Sequence, residues 1–269
     1  MKRLKLRMRG SCELLPDGNY RHRGFSLVEV AIALVIFALL VGGLLVPLSA
    51  QVEQRRIVTT QKQLEEIKAA LMGFAAANGR LPCPYVPGGP GAINGRETFN
   101  VGGTAANGIC FNFFGGFLPA VDLGLSALDS QGFALDAWGL STNRIRYAVT
   151  DRAVGVIGFA FTRTNGIRDA GGIGNIGTLP ALHVCSGNPA NPAPCNGGES
   201  LSSSAVVVIY SLGANTAPRG LDEGANLDNN VTFVSRERAE GGADPFDDLV
   251  TWFGSSLLVN RMIEAGRLP

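Results

Sequence analysis

Histidine is scarce in this chain of 269 residues, which contains two, His22 and His183. A zinc site built from histidines, or the H-E-x-x-H helix of a metalloprotease, needs histidines in closer spacing than these. A serine hydrolase would have to use His183, and the chain has no G-x-S-x-G sequence of the kind that presents a nucleophilic serine on a sharp turn. We therefore expect no enzymatic activity.

Charged residues are also few, at 17% of the chain, and they are unevenly placed. Residues 1–24 contain seven of the 23 basic residues and two of the 22 acidic ones. The rest of the chain therefore carries 16 basic and 20 acidic side chains, a formal charge of −4 before its terminal amine is counted. Because this leaves no basic field to attract phosphates, we expect no nucleic-acid partner.

Residues 25–50 contain a single charged side chain, Glu29. As a helix with a rise of 1.5 Å per residue, this run would be about 39 Å long, which is enough to cross a bilayer. A carboxylate near the start of such a helix costs several kcal/mol unless another group neutralises it. The sequence therefore predicts a transmembrane helix over 25–50 and a specific partner for Glu29.

Basic residues precede the apolar run, at Lys2, Arg3, Lys5, Arg7, Arg9, Arg21 and Arg23. An excess of Lys and Arg on this side predicts a cytoplasmic N-terminus and an exported chain after Ala50. An exported chain can form disulfides. We therefore expect the cysteines after Ala50 to be oxidised.

Four cysteines follow the apolar run, at Cys83, Cys110, Cys185 and Cys195, while Cys12 precedes it. Four cysteines allow three pairings. We favour the pairing of sequence neighbours, Cys83 with Cys110 and Cys185 with Cys195, because each bond would close a loop rich in Gly, Pro and Asn. Each such closure is worth about 2–4 kcal/mol.

The boundary between the basic segment and the apolar run is the Gly24-Phe25 junction. A cut at this junction would remove residues 1–24 and make Phe25 the new N-terminus. The new amine could then pair with Glu29 of a neighbouring copy. A translation start at Met8 instead of Met1 would shorten the removed segment and leave the junction unchanged.

The string G-F-S-L-V-E-V at 24–30 closely resembles the class III signal of type IV pilins and type II secretion pseudopilins. The resemblance implies that a prepilin peptidase cuts after Gly24 and methylates the amine of Phe25, and that Glu29 is the acid used in filament packing. It also implies further partners, namely other pilin or pseudopilin subunits and an inner-membrane assembly platform. The expected location is the bacterial inner membrane, with a single pass and a periplasmic or filament-borne domain.

Two other kinds of N-terminal segment share part of this pattern. An uncleaved signal anchor or an ordinary secretory signal peptide also has basic residues followed by an apolar run. A secretory signal peptide, however, has a shorter apolar core with no acid at its start. The residues before a cut at Ala50 would be Leu48-Ser49-Ala50, a poor match to a small-x-small cleavage site.

Beyond residue 50 the apolar residues recur at helical spacing, at Ile57, Leu64, Ile67, Leu71 and Phe74. This pattern predicts an amphipathic stem helix over 51–79 that continues the transmembrane helix. We expect Pro47 to kink the helix or to unwind it locally, because proline removes a backbone hydrogen bond. Asn78-Gly79 predicts the C-terminal end of the stem.

Residues 80–269 are expected to form one globular domain of the α+β class with a mostly antiparallel sheet. Patterning predicts strands over 144–149, 154–161, 205–211 and 231–235, and a final helix over 255–265. The Gly-rich segment 166–198 is expected to be a long loop. Four strings resemble features of larger pilin-like proteins: L-P-C-P at 81–84, D-A-W-G at 136–139, S-L-G-A-N at 211–215 and F-D-D-L-V-T-W at 246–252. The resemblance implies a long N-terminal helix packed on the sheet, with loops held by disulfides.

Acidic residues in the C-terminal part could bind calcium, at Asp222, Glu223, Asp228, Asp244, Asp247 and Asp248. Asp222, Glu223 and Asp228 are the first candidates. The alternative is a solvated acidic turn, since no stretch has the regular alternation of an EF-hand. No other cofactor is expected.

These observations lead to one interpretation with a named alternative. We interpret the chain as a structural subunit, of the minor type, of a type IV pilus or a type II secretion pseudopilus. Its segments would be a cleaved leader at 1–24, a transmembrane helix at 25–50, a stem helix at 51–79 and a globular domain at 80–269. The alternative is a signal-anchored periplasmic binding module that uses the 166–198 loop and does not assemble.

Overall fold

The structure is a computed structural model of the chain. It describes residues 24–153, 157–170, 182–187, 195, 198–215 and 217–268, without the side chains of 43–48. The chain divides into two compact units, residues 1–50 and residues 51–269.

The helices and strands of the described residues follow one another in a simple order. They are α1 (Leu27–Asn78), β1 (Gly116–Phe117), β2 (Arg146–Val149), α2 (Gly166–Asp169), β3 (Leu182–Cys185), β4 (Ser200–Ser211), α3 (Leu221–Ala225), β5 (Thr232–Val234), β6 (Leu249–Gly254) and α4 (Ser255–Glu264).

Helix α1 begins in the first unit and ends in the second. Among the helices that the structure describes, none has a stretch that is both long enough and apolar enough to cross a membrane. The transmembrane helix over 25–50 and the kink at Pro47, which lies inside α1, stay predictions.

Strand β4 is the centre of a six-stranded sheet. Its C-terminal half pairs with β2 and with β6, and its N-terminal half pairs with β3. These pairings are antiparallel, as is β1 with β2, whereas β3 and β5 run parallel. The predicted α+β class and the mostly antiparallel sheet are confirmed.

The stem part of α1, from Gln51 onward, contributes one face to the core of the second unit. Leu64, Ile67, Leu71 and Ala75 are buried there, at the three- and four-residue spacing that places side chains on one face of a helix. They belong to a core cluster that also includes Val207, Ile209 and Phe253 of the sheet and Leu258 and Met262 of α4. This packing is what gives an amphipathic helix most of its stability in a protein.

The strand predicted over 154–161 is wrong for its described part. Residues 158–161 form turns, and Phe159 has a positive φ of 51°. Ala160 and Phe161 are consecutive and both buried, which a strand with one buried face does not allow. The Phe161 carbonyl instead accepts a hydrogen bond from the Leu81 backbone N–H at 2.7 Å. The first three residues, 154–156, lie outside the described residues.

The segment 166–198, predicted as a loop, contains two regular elements. They are the short helix α2 and the strand β3. Strand β3 has only four residues, too few for a readable alternation, and it is held between β4 and β5. The rest of the predicted loop lies largely outside the described residues.

Two disulfides hold the irregular parts of the second unit, in the pairing predicted from the sequence. Cys83 is bonded to Cys110, and Cys185 of β3 is bonded to Cys195. The first bond fixes the L-P-C-P segment at 81–84, whose residues are all buried. Next to it, Arg80 forms a buried ion pair with Glu97 at 2.5 Å, so its charge is compensated.

Candidate processing and assembly site

The Gly24-Phe25 junction lies just before the start of α1 and is open to solvent. Gly24, Phe25 and Ser26 have no regular secondary structure, and the side chain of Phe25 is 85% exposed. A Cβ built on Gly24 meets no atom of the described residues within 4 Å, its chain neighbours aside. An enzyme that must bind an extended backbone at this junction would therefore meet no obstruction from the described residues.

Helix α1 begins with reciprocal capping between Ser26 and Glu29. The Ser26 backbone N–H donates to Glu29 Oε2 at 3.0 Å, and the Val28 backbone N–H donates to Ser26 Oγ at 3.3 Å. This arrangement is a variant of the capping box, in which Ser26 Oγ accepts from the second helical residue and not the third. It satisfies backbone donors that the first turn of a helix leaves without partners. Sequence reasoning assigned Glu29 to filament packing and missed this local role, although the S-x-x-E spacing that signals it is present at 26–29.

The helix surface that follows the cap is apolar and uncovered. Every residue described from 24 to 42 is exposed. The large apolar side chains on this surface are Leu27, Val28, Val30, Ile32, Leu34, Val35, Ile36, Phe37, Leu39, Leu40 and Val41. An apolar surface of this extent marks a membrane or protein contact, because each 100 Å² removed from water stabilises by about 2.5 kcal/mol.

The first candidates for calcium binding are not brought together as one ligand set. Asp222 forms an ion pair with Arg236 at 2.6 Å, and Arg236 also reaches Asp244 at 3.3 Å. Asp222, Asp228 and Asp244 line an open depression of about 520 Å³. The Glu223 side chain lies instead with a second group of acids, Asp247 and Asp248.

Glu223 lies with Asp247 and Asp248 in a buried cluster, in which carboxylate oxygens of the three lie within 4.8 Å of one another. Burial raises the pKa of Asp248 to about 7, and the neighbouring charges of Glu223 and Asp247 act in the same direction. Burial also raises the pKa of Asp247, again with a contribution from Glu223. Three negative charges in this cluster are therefore energetically unfavourable without a counterion.

His183, the histidine that follows the junction, is part of strand β3. Its backbone N–H donates to the Val231 carbonyl at 2.8 Å. Burial lowers the pKa of His183, and the positive charge of Arg152 adds to this effect. The backbone of His183 therefore takes part in the sheet.

Residues 19–45 match a family model described as the prokaryotic N-terminal methylation motif. A search of curated proteins and a search of solved structures each returned no match to the chain. The matched residues include Gly24, Phe25 and the capping pair Ser26 and Glu29. The chain therefore carries the prokaryotic N-terminal methylation motif, the signal of type IV pilins and pseudopilins.

Proposed function

We propose that this chain is a structural subunit, of the minor type, of a type IV pilus or a type II secretion pseudopilus. Prepilin peptidase would cut it between Gly24 and Phe25 and methylate the new amine. The match of residues 19–45 to the methylation motif is the observation that carries this proposal. The exposed junction in front of α1 supports it, because the peptidase needs access to the backbone at Gly24.

The apolar surface of 25–42 supports membrane residence followed by assembly. In the membrane the segment would be covered by lipid, and in a filament by the equivalent helices of other subunits. Both environments remove the same apolar side chains from water. Moving the segment from lipid to filament therefore changes its hydrophobic free energy little. We propose that 25–50 spans the bacterial inner membrane with a cytoplasmic N-terminus.

Disulfides Cys83–Cys110 and Cys185–Cys195 support export of the second unit. Disulfides form and persist in oxidising compartments such as the periplasm. We therefore place the second unit in the periplasm before assembly and on the filament afterwards. In this function the domain serves recognition and packing, and we expect no enzymatic activity.

Glu29 would supply the charge that orders assembly. Among the described residues it forms no ion pair, and its hydrogen bond from Ser26 leaves its negative charge uncompensated. A buried carboxylate needs a positive partner, and the amine of Phe25 in an adjacent subunit is a suitable one. That pair would also fix the axial position of one subunit relative to the next.

Coexpression with a prepilin peptidase followed by intact mass measurement tests the proposal. We expect a mature protein that begins with N-methyl-Phe25. The control is Gly24→Leu, which should stay uncut while folding normally, because a side chain at Gly24 meets no obstruction from the part of the chain that the structure describes.

Retention of residues 1–24 beside an active peptidase, or a start at Gln51, would contradict the proposal. Such a result would favour the alternative of a signal-anchored periplasmic binding module that never assembles. The loop at 166–198, on which that alternative depends, lies largely outside the described residues.

A further inference from the structure

The turn at 136–142 lies against the beginning of the stem part of α1. The Ala137 backbone N–H donates to Thr60 Oγ1 at 3.0 Å, and the Trp138 indole N–H donates to Glu53 Oε2 at 3.3 Å. Glu53 precedes Thr60 by seven residues, or about 10 Å along a helix that rises 1.5 Å per residue. The Trp138 side chain therefore extends from the level of Thr60 toward the first residues of the second unit.

Trp138 is thereby held close to the end of the apolar run 25–50. Glu53 follows Ala50 by three residues, and even a fully extended chain of that length spans only about 10 Å. The run itself, about 39 Å long as a helix, matches the thickness of a bilayer with both headgroup layers, about 40–45 Å. A run of this length that spans a membrane ends in the headgroup layer. The Glu53 end of the second unit then lies at the membrane surface.

Apolar side chains are exposed beside this contact. Leu140, in the same turn as Trp138, is 44% exposed, and Val52, next to Glu53, is 42% exposed. Trp138 itself is half-buried. Tryptophan, whose ring is apolar and whose N–H is polar, is enriched at the headgroup layers around membrane proteins. Partial burial among headgroups would remove this apolar surface from water.

The charges at this end of the second unit suit lipid phosphates. Residues 51–60 contain two basic side chains, Arg55 and Arg56, both exposed, and one acidic side chain, Glu53. Glu53 is paired with Arg238 at 2.8 Å and lies 3.9 Å from Arg56. Because its negative charge is compensated, it does not oppose the approach of phosphates, to which arginine donates strong hydrogen bonds.

We propose that the turn at 136–142 forms a membrane-contact surface, in which Trp138 and Leu140 lie in the phospholipid headgroup layer and Arg55 and Arg56 bind lipid phosphates. The inference rests on the membrane span proposed above. The contact adds a second attachment to the one made by α1, and would fix the orientation of the second unit on the membrane before assembly. Entry into a filament removes this surface from the bilayer, so the contact has to be reversible.

The two tryptophans of the chain, Trp138 and Trp252, lie at different levels along the stem. Thr251, next to Trp252, donates from Oγ1 to Glu65 Oε1 at 3.2 Å. Glu65 is twelve residues beyond Glu53, or about 18 Å farther along the helix. Trp252 therefore serves as an internal reference that should not reach the headgroups.

Strand β4 supplies a matched position far from the turn. Ser211, at its C-terminal end, donates from Oγ to Asp136 Oδ2 at 2.6 Å, so this end of β4 lies beside the turn. Leu201, near the other end, is ten residues away, or about 33 Å along a strand. It is 41% exposed, nearly as much as Leu140.

Fluorescence quenching of the full chain, reconstituted in vesicles of phosphatidylglycerol and phosphatidylcholine, tests the proposal. One set of vesicles carries a nitroxide on the lipid headgroup, and another carries bromines deep in the acyl chains. Trp252→Phe leaves Trp138 as the emitting side chain, and Trp138→Phe leaves Trp252. We expect the headgroup nitroxide to remove a larger fraction of the Trp138 emission than of the Trp252 emission.

Leu140→Asp, made in the Trp252→Phe background, should reduce the quenching of Trp138, because it replaces apolar surface with a charge that lipid phosphates repel. Leu201→Asp in the same background is the matched control and should leave the quenching unchanged. Both positions are exposed, so neither substitution should disturb the fold.

Phe37→Trp, combined with Trp138→Phe and Trp252→Phe, tests the membrane span separately, because Phe37 lies near the middle of 25–50. Its emission should be quenched by the deep bromines. If it is quenched while Trp138 escapes the headgroup nitroxide, the membrane-contact surface is wrong and the span stands. Equal quenching of Trp138 and Trp252, or equal effects of Leu140→Asp and Leu201→Asp, would also overturn the surface. Absence of quenching in the Phe37→Trp variant would overturn the span and the surface together.

Discussion

The Ser26 backbone N–H and the Glu29 carboxylate are joined by a hydrogen bond of 3.0 Å at the start of α1. Glu29, whose charge is proposed to order subunits in the filament, therefore also caps helix α1. Capping needs only an oxygen acceptor, whereas pairing with an amine needs a negative charge. The two roles of Glu29 can thus be separated by substitution.

Removing the Cys83–Cys110 disulfide should destabilise the second unit more than removing Cys185–Cys195. The bonds span sequence separations of 27 and 10 residues. Loop-closure entropy then gives losses of about 4 and about 3 kcal/mol. Urea unfolding of the two paired Cys→Ser variants measures the difference. A larger loss from the Cys185 and Cys195 pair would show that the shorter loop contributes by another route.

The buried hydrogen bond between Asp136 and Ser211 should hold the D-A-W-G turn against the end of β4. Ser211 Oγ donates to Asp136 Oδ2 at 2.6 Å, and Asp136 Oδ1 accepts from the backbone of Trp138. Asp136→Ala should cost about 3 kcal/mol, because it leaves the buried Ser211 hydroxyl and the half-buried Trp138 N–H without an acceptor. Ser211→Ala should cost about 1–2 kcal/mol.

The double variant distinguishes a direct bond from two separate effects. Asp136→Ala with Ser211→Ala should lose less stability in urea unfolding than the sum of the single losses. Ser141→Ala, at an exposed position in the same region, should change stability by less than about 0.5 kcal/mol. Strict additivity of the two buried substitutions would mean that the hydrogen bond is not a coupled unit.

His183 should make the folded protein less stable at acidic pH than at neutral pH. Its pKa in the folded state lies below the ordinary value because of burial and of Arg152. The unfolded chain then binds a proton more readily, so stability falls as pH falls through about 6.5 toward the lowered folded pKa. The slope stays below the one-proton limit of about 1.4 kcal/mol per pH unit, because the side chain is partly exposed.

Comparison of the wild type with His183→Gln isolates that contribution. Both proteins share the buried acids, whose titration cancels in the difference between them. Between about pH 7.5 and about pH 5.5, roughly one unit on either side of the ordinary histidine pKa, the stability measured by urea unfolding should fall more for the wild type than for His183→Gln. Equal losses would mean that His183 does not contribute.

Features with local causes could be predicted from the sequence. The spacing of Leu64, Ile67 and Leu71 predicts the buried face of the stem, because one helix determines it. The apolar runs over 144–149 and 205–211 are long enough to predict β2 and β4. The disulfide pairing followed from chain proximity.

Features made by tertiary contact could not be predicted. Strand β3 exists because β4 and β5 pair with it on both sides. Its four residues carry too little pattern to be recognised on their own. Likewise, Glu223 meets Asp247 and Asp248 only after the chain has returned through β5, so the sequence does not show which acids form the cluster.

The most direct test of the proposed function is the recovery of Glu29 variants in sheared filaments from cells that express prepilin peptidase. Glu29→Ala removes both the charge and the capping oxygen, while Glu29→Gln keeps an oxygen that can accept from the Ser26 N–H. We expect both variants to be cleaved after Gly24 and both to be absent from filaments, because each leaves the amine of a neighbouring Phe25 without a negative partner. Incorporation of Glu29→Gln at the level of the wild type would show that only the cap matters and would contradict assembly through charge pairing.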